Sequence, residues 1–281
     1  MIEPIELHIT AEKECSVAEL TSDQDLLQAK HILQCIDNGA AWITQKNKTN
    51  RFYDPDLIIN SGEELHIYCN EFTLKPCPFE ALLISDQQDF SIWFKPSGML
   101  SQGSKFGSHW SIHRWIEQHV FQHRTCHISH RLDRFTQGLM IVAHNKKTNT
   151  KLHRLFEHRE IQKTYRAVVN GLFPTGECVE INSQINHQDA ETMITGLNEN
   201  IAKNQSLLSI TPRTGRKHQV RRHLSYIGHS VINDRQYGQP PFKGDLMLQA
   251  AELDFNHPTT GEALHFSAPE EFLLKLKEPL D

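Results

Sequence analysis

The stretch His130-Arg131-Leu132-Asp133-Arg134-Phe135-Thr136-Gln137-Gly138-Leu139 sets one acid between two arginines, then a Thr-x-Gly turn, then an apolar run from Leu139 to Ala143. Neighbouring guanidinium charge keeps such a carboxylate ionised at the entrance to a buried strand. An ionised acid in that position can serve as nucleophile or base, and the arginines suit an anionic substrate. The same residues also fit a structural Asp–Arg pair at a strand entrance, and locally the two readings are balanced.

Two more long segments and several short ones belong with this stretch. Lys163-Thr164-Tyr165-Arg166-Ala167-Val168-Val169-Asn170-Gly171 and Thr214-Gly215-Arg216-Lys217-His218-Gln219-Val220-Arg221-Arg222-His223-Leu224 follow it in order. Ala190-x-Thr192, Ile232-x-Asp234, Tyr237-Gly238 and His257-Pro258-x-Thr260-Gly261 are shorter echoes. Taken together, the region from Phe90 to Ala268 resembles the RluA-type RNA pseudouridine synthases.

The resemblance implies that Asp133 is the catalytic acid. It implies that Tyr165 stacks against the uracil and can take the last proton, and that Arg221 pairs with Asp133 and orients it. Arg131 would fill the gap left when the target nucleotide leaves the stack. Arg134, Lys163, Arg216, Lys217 and Arg222 are assigned to RNA contact, whereas His130 and His218 are read as structural. Two positions depart from the family's pattern: Gln137 stands where Ser is usual, and Asn233 where Gly precedes Asp234. Gln137 still donates and accepts hydrogen bonds at a turn. Asn tolerates left-handed backbone better than other non-glycine residues.

At 281 residues the chain suits one large or two smaller domains. No apolar run approaches the roughly 20 residues a membrane span needs. The start, MIEPIELHIT, lacks the basic-then-apolar layout of a signal peptide. Cys15, Cys35, Cys69, Cys77, Cys126 and Cys178 are scattered without a CxxC pair, which argues against a disulfide framework or a structural zinc site. A soluble, cytoplasmic monomer in a reducing compartment, with no membrane partner, is expected.

The net charge of −5 hides an asymmetry. Residues 1–90 carry 16 acidic against 6 basic side chains, and residues 91–281 carry 18 against 23. Between Asn200 and Asn233 there is no Asp or Glu, while Lys203, Arg213, Arg216, Lys217, Arg221 and Arg222 are present. A basic stretch without counter-acids favours phosphate contact. The second basic stretch, Lys146 to Arg166, fits a solvated helix face equally well.

Lys75-Pro76-Cys77-Pro78 marks the clearest break, giving a small N-terminal α/β domain over 1–75 and a catalytic domain over 76–281. In the first, a helix is predicted over Asp25–Gly39, with strands over 41–44 and 65–69. Its Gly39-Ala40-Ala41-Trp42-Ile43 and Ser61-Gly62-Glu63-Glu64-Leu65 stretches resemble a small RNA-binding domain first seen in a ribosomal protein, although its acidity fits a stability or docking role as well. In the second, strands are predicted over 90–94, 139–143, 165–169, 177–181, 191–195, 206–211, 246–253 and 264–266. Helices are predicted over 111–121, 147–159, 216–227 and 270–277. Many strands without βαβ alternation argue for α+β with a mainly antiparallel sheet. The family's fold is of that kind, a long bent sheet with flanking helices and a central cleft.

Isomerising uridine breaks the sugar–nitrogen bond, turns the base and rejoins it through carbon 5. No redox cofactor, nucleotide or metal is needed, and none is expected. His119, His123 and His127 repeat every four residues, but no Glu sits between them as in HExxH, and a metal role is not expected. The HxE with PCxxC signature of the zinc deaminases is absent. The expected function is an isomerase, an RNA pseudouridine synthase acting on structured tRNA or large-subunit rRNA by base flipping. Its rival is a catalytically silent RNA-binding or ribosome-assembly factor on the same fold. Lys217 and Arg222 resemble the tRNA-acting branch, whereas the extra N-terminal domain points away from it.

Overall fold

The computed structural model describes residues 3–22 and 27–276. The chain divides into two compact units, Met1–Phe79 with Gln102–Trp115, and Glu80–Ser101 with Ile116–Asp281. The irregular chain at Pro76–Pro78 does precede a boundary, but the catalytic part is not continuous from residue 76. Gln102–Trp115 returns to the first unit, where Ser108 N–H donates to the Asn38 carbonyl and Thr73 Oγ1 to the Phe106 carbonyl. No shift in composition marks this excursion, because its bonds run from backbone and small side chains.

In the first unit the elements are β1 (Ile5–Thr10), β2 (Cys15–Ser16), α1 (Val17–Thr21), α2 (Ala29–Asp37), β3 (Ala41–Gln45), β4 (Lys48–Arg51), β5 (Ile58–Ile59) and β6 (Glu64–Cys69). Four of the strands form an antiparallel sheet in the order β1-β6-β3-β4. The period-2 alternation of β6 buries Leu65, Ile67 and Cys69 and turns Glu64, His66 and Tyr68 to the other face. Ile32, Cys35 and Ile36 of α2 pack on the inner face at helical spacing. This helix is shorter than Asp25–Gly39. Gln28 is already extended, and Asp25 lies outside the described residues. β1 is an addition to the expected strands, although its alternation of Ile5, Leu7 and Ile9 with Glu6, His8 and Thr10 is strict.

The remaining elements are β7 (Leu82–Asp86), β8 (Phe90–Lys95), α3 (Ile112–His119), β9 (His127–Ile128), β10 (Gln137–Ala143), α4 (Lys146–Glu157), β11 (Gln162–Asn170), β12 (Cys178–Ile185), β13 (Gln188–Asn200), β14 (Gln205–Pro212), α5 (Gln219–Tyr226), β15 (Leu248–Asn256) and β16 (Ala263–Ser267). The ten strands of the second unit form one sheet, ordered β12-β13-β14-β11-β15-β10-β8-β7, with β16 on β15 and β9 on β10. All pairings are antiparallel except β10 with β15. The architecture is α+β, with a large mixed sheet and few helices.

The two largest apolar clusters on this sheet, among the described residues, each take in one helix. Phe90, Ile92, Leu139 and Ile141 pack with Leu152 of α4, while Ala167, Val169, Leu208 and Ile210 pack with Val220 and Leu224 of α5. Each fully buried Leu or Ile contributes roughly 1.5–3 kcal/mol. The helix expected over 270–277 does not form. Only a 3₁₀ turn over Glu270–Phe272 is present, and Leu273 is already extended. Gln249 explains this: its amide nitrogen donates to the Phe272 carbonyl and its oxygen accepts from Leu274 N–H, which diverts the groups a helix would use. Lys277 lies outside the described residues.

Candidate active site

The Thr-x-Gly turn is built around one close backbone approach. Thr136 N–H closes the turn onto the Asp133 carbonyl. Gly138 has φ +117°, and a Cβ there would lie 2.1 Å from the Ala250 carbonyl oxygen. Glycine is therefore what lets β10 run parallel beside β15, with Gly138 opposite Ala250. Ala250 is paired on its other side with Tyr165 of β11. A single position of β15 thus aligns the Asp133 turn with the strand that carries Tyr165.

Lys95 supports the turn from below. It is fully buried at the end of β8, and Nζ donates to the carbonyls of Pro96, Met99 and Arg134. Burial pulls its pKa down to about 7, while the charge of Asp133 opposes that shift. Three carbonyls match the three N–H groups of an ammonium, so the geometry favours the cation. Gly98 N–H donates to the Arg134 carbonyl and Arg134 Nε to the Gly98 carbonyl, which ties the 96–99 turn to the Asp133 loop.

Arg221 projects from α5 between two acids. Its Nε and Nη2 each donate to Asp234 at 2.7 Å, and Nη1 reaches Asp133 Oδ2 at 3.3 Å. The side chain of Asp234 is 0 % exposed, that of Arg221 11 % and that of Asp133 34 %. Asp234 also accepts the backbone N–H groups of Gln236 and Tyr237. Burial alone would raise its pKa, but the Arg221 fork and these N–H groups outweigh burial and hold it low. The expected Arg221–Asp133 pair is present, with Asp234 as the tighter partner.

His218, expected to be structural, lies beside this group. Its Nε2 lies 3.6 Å from Asp133 Oδ1, and Nδ1 is hydrogen-bonded to the Tyr237 hydroxyl at 2.9 Å. Burial lowers its pKa, with Asp133 pulling the other way. The Arg221 guanidinium lies over the Tyr237 ring, 5.0 Å from its centre. Tyr165 is half-buried, and burial, reinforced by the Asp133 charge, raises its phenol pKa.

The loop that delivers His218 and Arg221 is fixed by Gln219. Its oxygen accepts from Thr214 Oγ1 and Arg216 N–H, and its nitrogen donates to the Glu191 carbonyl and Thr192 Oγ1. Thr192 also meets buried His223 at 2.9 Å. The Ala190-x-Thr192 echo is therefore the seat of this loop. Asn233 takes φ +62° and its amide is bonded to the backbone of Lys243 and Asp245, which fits the left-handed tolerance expected of it.

The RNA-contact candidates differ in setting. Arg131, Arg134 and Lys217 are exposed, Arg216 donates to the Asp189 carbonyl, and Arg222 donates to Asn186. Lys163 is half-buried, with Nζ 5.8 Å from the centre of the Phe156 ring, and burial lowers its pKa. His130 stacks on the same ring and accepts the Ile141 N–H, as a structural neighbour would. Of the repeating histidines, only His119 lies on α3; His123 is in a turn and His127 on β9. From sequence, Lys95 stands only at the head of the Lys95-Pro96-Ser97-Gly98 turn that the resemblance sets just before the catalytic region, Phe135 is given no role, and Asp234 and Tyr237 are only echoes. Phe135 is 51 % exposed in the Asp133 turn, with the Arg134 guanidinium 5.4 Å from the centre of its ring.

Comparison with known proteins places the chain in a family. Residues 89–226 match the RNA pseudouridylate synthase family. The dual-specificity RNA pseudouridine synthase RluA of Pasteurella multocida is 34 % identical over 203 residues, covering 65 % of this chain and 90 % of that protein. The tRNA pseudouridine synthase C of Yersinia pestis is 31 % identical, covering 57 % and 79 %. In fold, human RNA pseudouridylate synthase domain containing 1 superposes with a TM-score of 0.58 at 23 % identity, over 69 % of this chain and 85 % of that one. The chain belongs to the RluA-type RNA pseudouridine synthases, a family of isomerases that act on RNA.

Proposed function

We propose that this enzyme converts specific uridines of structured RNA to pseudouridine, with Asp133 as nucleophile or base, on a nucleotide flipped out of its stack. The observation that carries the reading is the placement of Asp133 against Arg221, whose guanidinium is anchored by buried Asp234. In the reaction the bond from C1′ to N1 breaks, the base turns, and a bond from C1′ to C5 forms. The proton on C5 leaves and N1 ends with one, so product and substrate are isomers.

Asp133 supplies the group that attacks base or sugar, or removes a sugar proton. Arg221 pairs with it and orients it. Tyr165, held as a neutral phenol by burial and by the charge of Asp133, suits stacking under the uracil better than taking the last proton. His218 offers a second polar contact beside the carboxylate. Base extrusion costs a few kcal/mol, least in loops, so a stem-loop uridine is the favoured target. Arg131 is assigned to the vacated stack, and exposed Phe135 offers a ring to a flanking base.

Among RNAs we place tRNA ahead of large-subunit rRNA. Lys217 and Arg222 support this, as does the similarity to a tRNA enzyme, whereas the similarity to a dual-specificity enzyme and to a large-subunit enzyme fits either RNA. The test is a chemical pseudouridine map of tRNA and rRNA from cells with and without the gene, followed by restoration in vitro with purified protein. A site that disappears with the gene and returns with the enzyme is expected. Unchanged maps in both RNAs, with RNA binding intact, would favour the silent binding factor.

A further inference from the structure

We infer that the outer face of the N-terminal sheet carries a binding site for one divalent transition-metal ion, Zn²⁺ foremost, formed by His8, Glu64 and His66. His8 on edge strand β1 is directly opposite His66 on β6 in the antiparallel register, and Glu64 lies two residues before His66 on the same face. One ligand atom from each of the three lies within 4.8 Å of the others. This is the one such group among the described residues.

The details fit a ligand set. His66 Nε2 is 2.7 Å from Thr44 Oγ1, which in turn is 2.7 Å from Thr49 Oγ1. With Nε2–H donating to Thr44, and the Thr44 hydroxyl to Thr49, the Nδ1 lone pair of His66 faces His8. Metal-binding imidazoles are held in this way, by a second partner that fixes the tautomer. The two Nδ1 atoms stand 2.7 Å apart. Nitrogens each about 2.05 Å from one zinc ion are about 3.3 Å apart at the tetrahedral angle, so the rings need to open by only a few tenths of an ångström. Without an ion the same pair closes on a shared proton, with His8 donating to His66.

The setting also favours a cation. The His66 side chain is 12 % exposed, so an ion beside it would be shielded from water on one side. Glu64, whose Oε2 lies 3.8 Å from His66 Nε2, supplies the negative charge and reaches the ion on the Nδ1 side by a turn of its side chain. Lys105, which reaches the Tyr68 ring on this face, is paired with Glu6. Two imidazoles and a carboxylate suit Zn²⁺ and its neighbours better than Mg²⁺ or Ca²⁺, which prefer oxygen. An ion here would clasp edge strand β1 to β6.

The test uses the intact, chelator-stripped chain, titrated with Zn²⁺ by calorimetry and with Co²⁺ by visible absorption. Thermal unfolding is followed with and without Zn²⁺. One equivalent should bind, with a higher melting temperature and a Co²⁺ spectrum of nitrogen–oxygen ligation. His8→Ala should weaken binding at least tenfold and abolish the thermal shift, and Glu64→Gln should weaken it severalfold. His123→Ala, an exposed histidine elsewhere, should change nothing. Because His8 is exposed, its loss leaves the fold intact even if His66→Ala does not. Wild-type affinity in His8→Ala, or no saturable equivalent in the parent, overturns the site and leaves a hydrogen-bonded histidine pair.

Discussion

Arg221 grips Asp234 with two hydrogen bonds of 2.7 Å and reaches Asp133 with one of 3.3 Å, so the acid that anchors the arginine is not the one assigned to chemistry. This division orients Asp133 with a single bond and leaves its side chain 34 % exposed. The more deeply buried acid fixes the position, and the more exposed one is the acid proposed to react.

Removing the anchor should therefore cost both stability and turnover. Asp234→Ala leaves a nearly buried guanidinium without its main partner, a change that typically costs about 3–5 kcal/mol. The pH dependence has a defined sign. The Asp234 pKa is lower in the folded state, so its contribution is complete above the ordinary carboxylate pKa and is lost as pH falls through the folded value. Denaturant unfolding at a series of pH values should show the gap between wild type and Asp234→Asn at full size near neutrality and shrinking below about pH 4. A gap independent of pH would remove Asp234 as the source.

Asp133→Asn should abolish isomerisation and leave RNA affinity within severalfold. Phosphate contacts supply most of the affinity of such complexes, and the substitution removes no cation. The pair of measurements is single-turnover conversion and filter binding on the same RNA. Turnover near the wild-type rate would show that the chemistry has been assigned to the wrong residue.

The site was legible where its chemistry is local in sequence. Asp133, Tyr165 and Arg221 each sit inside a contiguous motif, and the fold places Asp133 against Arg221 and lays Tyr165 on β11 next to the strand that holds the Asp133 turn. What was less legible depends on interactions made at a distance. Asp234 looks like one residue of a short echo, because its partner lies on α5 and its burial comes from the tertiary fold. His218 resembles a structural histidine until Tyr237 and Asp133 converge on it. The same holds for the fold: β10 follows from an apolar run, whereas no local signal returns Gln102–Trp115 to the first unit. The 270–277 segment fits a helix by pattern, and only Gln249, more than twenty residues earlier, decides otherwise.

Gly138→Ala should be among the most damaging conservative substitutions in the chain. The new methyl would meet the Ala250 carbonyl at 2.1 Å, and the backbone would be held at φ +117°. Left-handed strain and overpacking together cost on the order of 4 kcal/mol. Gly62→Ala is the control: it has φ +82° with nothing within 4 Å, so it incurs strain alone, about 1 kcal/mol. Equal midpoints for the two variants in urea would show that the β10–β15 approach is not what Gly138 serves.

RNA affinity should reside in the basic segment of the second unit. Lys217 is the cleanest probe, since it is exposed, whereas Arg216 and Arg222 also hold Asp189 and Asn186 of the β12–β13 hairpin. Each phosphate left without its cation should flatten the dependence of log affinity on log salt by roughly 0.7 to 0.9. Lys217→Ala should thus lower affinity at low salt and reduce the slope by the amount due to about one phosphate, with unfolding unchanged. Deleting residues 1–75 is a poor test of the acidic N-terminal part. It would strip Gln102–Trp115 of the Asn38 and Thr73 groups it is bonded to. Neutralising exposed Glu3, Glu12 and Asp56 in the intact chain asks the same question without that damage. Affinity should rise slightly or stay level. If the neutralised protein loses RNA binding while Lys217→Ala keeps it, the binding surface lies in the first unit instead.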